Sequence, residues 1–141
     1  MSQKILQVEK EVDVRFSEVD SMGFVWHGNY AMYFEDAREL FGQTYQLEYL
    51  RMYEMGFYAP LVELKFNYKK AVKYTDRIKV KCTYRNTDSA KIIFDYEIRN
   101  AETDEVMVTG YTTQVFLDRD YNLIWQTPAF YTEWKRMNGV L

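Results

Sequence analysis

Apolar residues recur along the chain with two different periods, and the switches between them mark out its elements. Val12, Val14 and Phe16 alternate with Asp13 and Arg15, the pattern of a half-buried strand. Val62, Leu64, Phe66 and Tyr68 alternate with Glu63, Lys65 and Asn67, and Ile78, Val80, Cys82 and Tyr84 alternate with Lys79, Lys81, Thr83 and Arg85. Ile92, Phe94, Tyr96 and Ile98 repeat the pattern against Lys91, Asp95, Glu97 and Arg99. Residues 105–117, rich in Val, Thr, Tyr and Phe, predict a fifth and longer strand. The polar breaks at 86–89 and 100–104 are of hairpin length, so the last three strands are expected to form an antiparallel meander.

Between the first and second strands the period lengthens. Tyr30, Tyr33, Phe34, Ala37 and Phe41 form one stripe of a helix, capped at or just before Asn29. Gly42 is placed to end or kink it, and residues 45–55 read as helical again, with Gly56 as C-cap. Thr127-Pro128 predicts the N-cap and first residue of a last short helix carrying Phe130, Trp134 and Met137. A helix with one apolar stripe must be covered, and an antiparallel sheet with one apolar face covers it. The expected fold class is α+β, one long helix on a curved five-stranded antiparallel sheet, in a single domain over residues 1–141. The apolar faces are aromatic enough to outrun one helix, which points to an oligomer.

Composition narrows the chemistry. The 141 residues carry 18 Lys+Arg against 21 Asp+Glu, and a net charge of −3 leaves no basic footprint for nucleic acid or an anionic membrane. One His and one Cys cannot build a zinc site or an internal disulfide framework, so no metal is expected and any histidine chemistry must use His27. Residues 1–10 lack the unbroken apolar core of a signal peptide, and no stretch approaches a bilayer span. The expected location is the cytoplasm, where the lone thiol of Cys82 is at ease.

The chemically densest stretch runs from Arg15 to Tyr30. Asp20, Ser21 and Gly23 are turn formers, but Phe24-Val25-Trp26 directly before a helix is an odd choice for a solvated loop. It predicts a loop that folds inward and carries Asp20 near the helix N-terminus, whose free N–H groups favour negative charge. A carboxylate beside such donors is the minimum equipment for acyl hydrolysis, the one as base or nucleophile and the other polarising the carbonyl. On the residues alone, Asp20 as a turn residue and Gly23 as a positive-φ residue is the competing and plainer reading.

The run Asp20-Ser21-Met22-Gly23-Phe24-Val25-Trp26-His27-Gly28-Asn29-Tyr30, followed by Tyr33-Phe34-Glu35 and Ala37-Arg38, closely resembles the signature of hotdog-fold acyl-CoA thioesterases of the 4-hydroxybenzoyl-CoA thioesterase type. The resemblance extends more loosely over nearly the whole chain. It implies the hotdog fold, a long helix wrapped by an antiparallel sheet. It implies hydrolysis of an acyl-CoA, or of an acyl carrier protein thioester, by a homodimer or homotetramer with no cofactor beyond the CoA of the substrate. Asp20 matches the family's catalytic carboxylate, and His27 the helix-start position whose backbone N–H holds the thioester oxygen. Gly23 would let the loop approach the thioester, while Trp26 and Tyr30 would wall the acyl pocket. Lys91, and less directly Ser89, fall where the family contacts the CoA phosphates and pantetheine, although the arginines of some members are absent here.

Other residues have plainer roles. Glu35 and Arg38 are spaced for an intrahelical ion pair. Cys82 lies on an apolar strand face and reads as core. Lys65, Lys69, Lys70 and Lys73 read as a solvated face, with steering of an anionic nucleotide as the second reading. Glu18 reads as solvated, with tuning of Asp20 as its alternative. Two rival functions stay open: a hotdog hydratase-dehydratase using the His27 ring as base, and a non-catalytic acyl-CoA-binding module.

Overall fold

The computed structural model describes residues 4–141; Met1–Gln3, part of the N-terminal stretch read above, lie outside the described residues. The alternating segments become strands β1 (Gln7–Asp13), β3 (Leu61–Tyr68), β4 (Arg77–Arg85), β5 (Lys91–Asn100) and β6 (Val106–Asp118). Two two-residue strands, β2 (Phe57–Tyr58) and β7 (Leu123–Ile124), pair with the far half of β6. All pairings are antiparallel, in the order β1-β4-β5-β6, with β3 on the other edge of β6. Helix α1 (Tyr30–Tyr45) lies across one face, with α2 (Tyr49–Glu54) after it and α3 (Ala129–Met137) closing the chain.

The core sits between α1 and the sheet. Ile78, Val80, Cys82 and Tyr84 of β4 and Ile92, Phe94, Tyr96 and Ile98 of β5 are buried, and the stripe Tyr30, Tyr33, Phe34, Ala37 and Phe41 meets them from α1. Cys82 is core as expected, and burial pushes its thiol well above the usual range, away from nucleophilic use. Phe34 stacks on Tyr96 with ring centroids 4.2 Å apart, directly over Gly110 of β6. A Cβ at Gly110 would lie 2.1 Å from the Lys65 carbonyl oxygen and 2.8 Å from the Phe34 ring, so only glycine lets α1 come this close to the sheet. Gly110→Ala is therefore expected to cost about 1–3 kcal/mol by overpacking, seen as a fall in Tm of roughly 3–10 °C in a thermal melt. An unchanged melt would show that β3 yields to the extra methyl.

Four expectations shift. The first strand is not 12–16 but Gln7–Asp13: Val14 is buried just beyond it, and Phe16 is exposed in a 3-10 turn, Phe16–Glu18, held by the Arg15 N–H donating to Glu18 Oε1 at 2.8 Å. Gly42 neither ends nor kinks α1. A Cβ there would stand 3.1 Å from the Leu47 carbonyl oxygen, so Gly42 admits the returning chain, and the left-handed cap is Gln46, at φ 59°. Gly56 does follow α2, at φ 99°. The N-cap of α3 is Pro128 rather than Thr127: its extended backbone presents a carbonyl to the N–H groups of Tyr131 and Thr132. On β3, Val62, Leu64 and Tyr68 are exposed rather than buried, which matters below.

Candidate active site

The loop after β1 folds back on itself as a small hairpin. Val19 bridges Val25, the Asp20 N–H donates to Phe24 O at 2.7 Å, and the Trp26 N–H donates to Glu18 O at 2.9 Å. Asp20 closes the tip: its Oδ1 accepts the N–H groups of Met22 (2.9 Å) and Phe24 (3.3 Å), while Oδ2 accepts no hydrogen bond among the described residues. Gly23 takes φ 81° there with open space around its missing Cβ, so its turn geometry, not a close approach, requires glycine. The hairpin is pinned to the segment after β3 by Val25 N–H to Val72 O and by Tyr74 N–H to Gly23 O.

Beyond it, His27–Asn29 form a 3-10 turn that runs straight into α1. The His27 and Gly28 N–H groups open this turn and find no backbone acceptor among the described residues. The His27 side chain is exposed and packs against Trp26 at 4.8 Å between ring centroids, while its carbonyl accepts the Tyr68 hydroxyl at 3.1 Å. Trp26 lies half exposed over Gly28, whose Cβ would meet the indole at 2.2 Å. Tyr30 is buried, its hydroxyl accepting the Val72 N–H, and burial raises its pKa. It anchors the helix start at least as much as it walls a pocket.

Sequence reasoning passed over the clamp that holds this arrangement. Glu18 is not simply solvated. Its Oε1 also accepts the Tyr33 hydroxyl at 2.9 Å, and its carbonyl accepts both Trp26 N–H and Asn29 Nδ2. Burial, followed by the Glu18 contact, raises the Tyr33 pKa. The one local signal was Glu18 lying three residues after Arg15, the spacing of a capping carboxylate.

Two predicted contacts are not brought to Asp20 within one chain. Ser89 and Lys91 lie exposed at the turn from β4 to β5, whereas the Asp20 loop sits at the Arg77 end of β4. At about 3.3 Å per residue the nine residues of β4 separate the two by roughly 26 Å. The Glu35–Arg38 pair forms at 3.8 Å, and Lys70 of the basic run pairs with Glu105 at 2.8 Å. No three His, Cys, Asp or Glu side chains converge to hold a metal among the described residues. A cavity of about 460 Å³ opens elsewhere, between α1, α2 and the Leu61 end of the sheet, and Asp20 and His27 do not line it.

The thioesterase-like superfamily model matches residues 14–134. The chain belongs to this family. A DHNA-CoA thioesterase from Staphylococcus aureus is 30% identical, with a TM-score of 0.80 over 93% of this chain and 90% of that one. A 1,4-dihydroxy-2-naphthoyl-CoA thioesterase from Synechocystis, 20% identical, shares the fold at a TM-score of 0.78 over 89% and 93%. YneP of Bacillus subtilis, whose name marks it as a candidate acyl-CoA thioesterase, is 27% identical over 112 residues, 79% of this chain and 80% of that protein. The hotdog architecture expected from the Asp20–Arg38 run is thus the architecture of this thioesterase, with seven strands where five were expected because β2 and β7 extend the β6 end. Among its described residues no helix is long and apolar enough to cross a membrane.

Proposed function

We propose that this hotdog thioesterase hydrolyses an acyl-CoA to the free acid and CoA, in a single cytoplasmic domain over residues 1–141, with Asp20 as the reacting carboxylate. The observation that carries it is Asp20 itself, held at the hairpin tip through Oδ1 while Oδ2 accepts no hydrogen bond among the described residues, in the loop that leads into the His27–Asn29 turn, where the His27 and Gly28 N–H groups find no backbone acceptor among those residues. The His27 N–H polarises the thioester carbonyl, and the Asp20 carboxylate either takes a proton from a water that attacks the carbon, or itself attacks to form a mixed anhydride that water then hydrolyses to the acid and free Asp20; in both cases the CoA thiolate leaves and is protonated. The two thioesterase relatives named for CoA esters support CoA over an acyl carrier protein as the carrier. The working unit is a homodimer or a homotetramer of such dimers. Support for it lies in β3, whose outer edge pairs with no strand among the described residues and whose Val62 and Leu64 are 60% and 42% exposed. Ser89 and Lys91 then reach the CoA of a site from the second copy, with Trp26 and Gly23 beside the thioester.

The test is thiol release from a panel of short aliphatic, long aliphatic and aromatic acyl-CoAs. His27→Gln separates the rival that uses the imidazole as a base. The backbone N–H survives this change, so turnover is expected to stay within about threefold, since only donors lost from the oxyanion site cost about 10²–10³. A hydratase-dehydratase would lose its base and about 10²–10⁴ of its rate, so a collapse of that size would transfer the reaction to that class.

A further inference from the structure

Three donors on one face of α3 reach out of the helix to carbonyl groups of other elements. Tyr131, Trp134 and Lys135 stand at i, i+3 and i+4, so their side chains share that face. Trp134 Nε1–H donates to Tyr45 O, at the end of α1, at 2.7 Å. The Tyr131 hydroxyl donates to Lys91 O at 3.1 Å, and Lys135 Nζ donates to Thr87 O at 2.6 Å. All three side chains are buried, and Lys135 is only 5% exposed.

Lys135 is the unusual member of the three. Among the described residues its ammonium is met by the Thr87 carbonyl and by the Tyr131 ring, whose centroid is 5.2 Å away, and not by a carboxylate in an ion pair. Burial lowers its pKa, and the charge of Asp88 opposes that shift. A methionine of similar length would fill the same space without a charge to desolvate, so packing alone is a poor account of a lysine here. What the ammonium does, and a methionine would not, is hold one carbonyl in one place.

That carbonyl belongs to the connection between β4 and β5, residues 86–90. Within the connection, the Ser89 N–H donates to Thr87 Oγ1 at 3.2 Å and the Lys91 N–H to Ser89 O at 2.8 Å. Further ties come from the C-terminal segment: Lys135 on Thr87, Tyr131 on Lys91, and Val140 O accepting from Asn86 Nδ2 at 2.6 Å. Between and beside these fixed points, the side chains of Asp88, Ser89 and Lys91 are exposed.

We propose that Lys135 is a positioning residue for substrate binding: by fixing Thr87 O, while Tyr131 fixes Lys91 O, it presents Ser89 and Lys91 to the phosphates of CoA. This rests on the thioesterase reading above, in which those two residues reach the CoA, and it gives α3 a role in affinity for the carrier rather than in the chemical step. Lys135 is buried and acts through the turn, without touching the ligand.

The test is calorimetric binding of CoA, with thiol release from an acyl-CoA and from the N-acetylcysteamine thioester of the same acid, which lacks the nucleotide. Lys135→Met is expected to weaken CoA binding and to raise KM for the acyl-CoA about 10-fold, the lower end for losing a hydrogen bond to a charged group. Its kcat, and kcat/KM for the truncated thioester, should stay within about twofold, because the interaction lost is one of binding alone. Tyr131→Phe keeps the ring and removes only the hydroxyl, so it should shift CoA affinity the same way by about threefold, and it carries the comparison if Lys135→Met does not fold. In protein already carrying Ser89→Ala and Lys91→Ala, Lys135→Met should change CoA affinity by less than about twofold, since nothing is left for it to position. Equal loss on both thioesters, unchanged CoA affinity in Lys135→Met and Tyr131→Phe, or full additivity with the turn substitutions each overturns the assignment. Failure of the unaltered protein to bind CoA overturns it together with the thioesterase reading. Absence of thiol release, with CoA binding and its dependence on Lys135 intact, would instead remove the hydrolase reading and leave the positioning role standing.

Discussion

Asp20→Asn is expected to lower acyl-CoA turnover by about 10²–10⁴-fold, the range for losing a positioned base, and further if the carboxylate is the nucleophile. The melting temperature should hardly move. Asp20 Oδ1 accepts the N–H groups of Met22 and Phe24, and an asparagine carbonyl oxygen accepts them equally well. Only Oδ2, the oxygen without a partner, is exchanged for an amide nitrogen that neither attacks nor takes a proton. The substitution thus separates the two roles Asp20 can have. As a turn residue alone it tolerates Asn, and turnover within threefold of the unaltered protein would end the catalytic assignment. Asp20→Ala is the companion: it removes both loop hydrogen bonds, each worth about 0.5–1.5 kcal/mol, so it lowers turnover and Tm together. Thiol release by a chromogenic trap and a thermal melt on the same preparations give both readings.

What could be read from the amino acids and what could not divides along local and distant causes. The alternation in β4 and β5 reports its own burial because both strands are flanked on each side and lie under α1. Strand β1 is an edge strand, whose pairing with β4 is made by backbone groups that no side-chain pattern records, so its start at Gln7 stayed hidden. Glycine at 42 has two physical uses, ending a helix or admitting another backbone, and only the position of Leu47 and Glu48 decides between them. The same holds at the site. Asp20, Gly23 and the free helix start are properties of adjacent residues and could be picked out. The Glu18–Tyr33 hydrogen bond joins residues fifteen apart, and no pattern of neighbouring residues records it. The apolar face of β3 is the instructive case. Its pattern is true, but the described residues leave Val62 and Leu64 60% and 42% exposed.

That missing cover leads to the second large effect. Val62→Lys with Leu64→Lys is expected to yield a monomer and to cut thiol release by at least about 100-fold. Both side chains are exposed in the single chain, so their replacement should cost the folded monomer little, within about 0.5 kcal/mol each. Pairing of two β3 edges would bring four new lysines onto one joined face, and like charges crowded there oppose the pairing that the unpaired edge of β3 otherwise favours. In the proposed dimer, losing the partner would leave each Asp20 loop without a Ser89–Lys91 turn, because β4 keeps the two at opposite ends of one sheet. Light scattering should give the mass of one chain, with circular dichroism unchanged and the loss of activity not restored by raising substrate. A monomer with full turnover would mean that Asp20 and His27 need nothing from a second chain; an unchanged dimer would mean that the copies meet on another face.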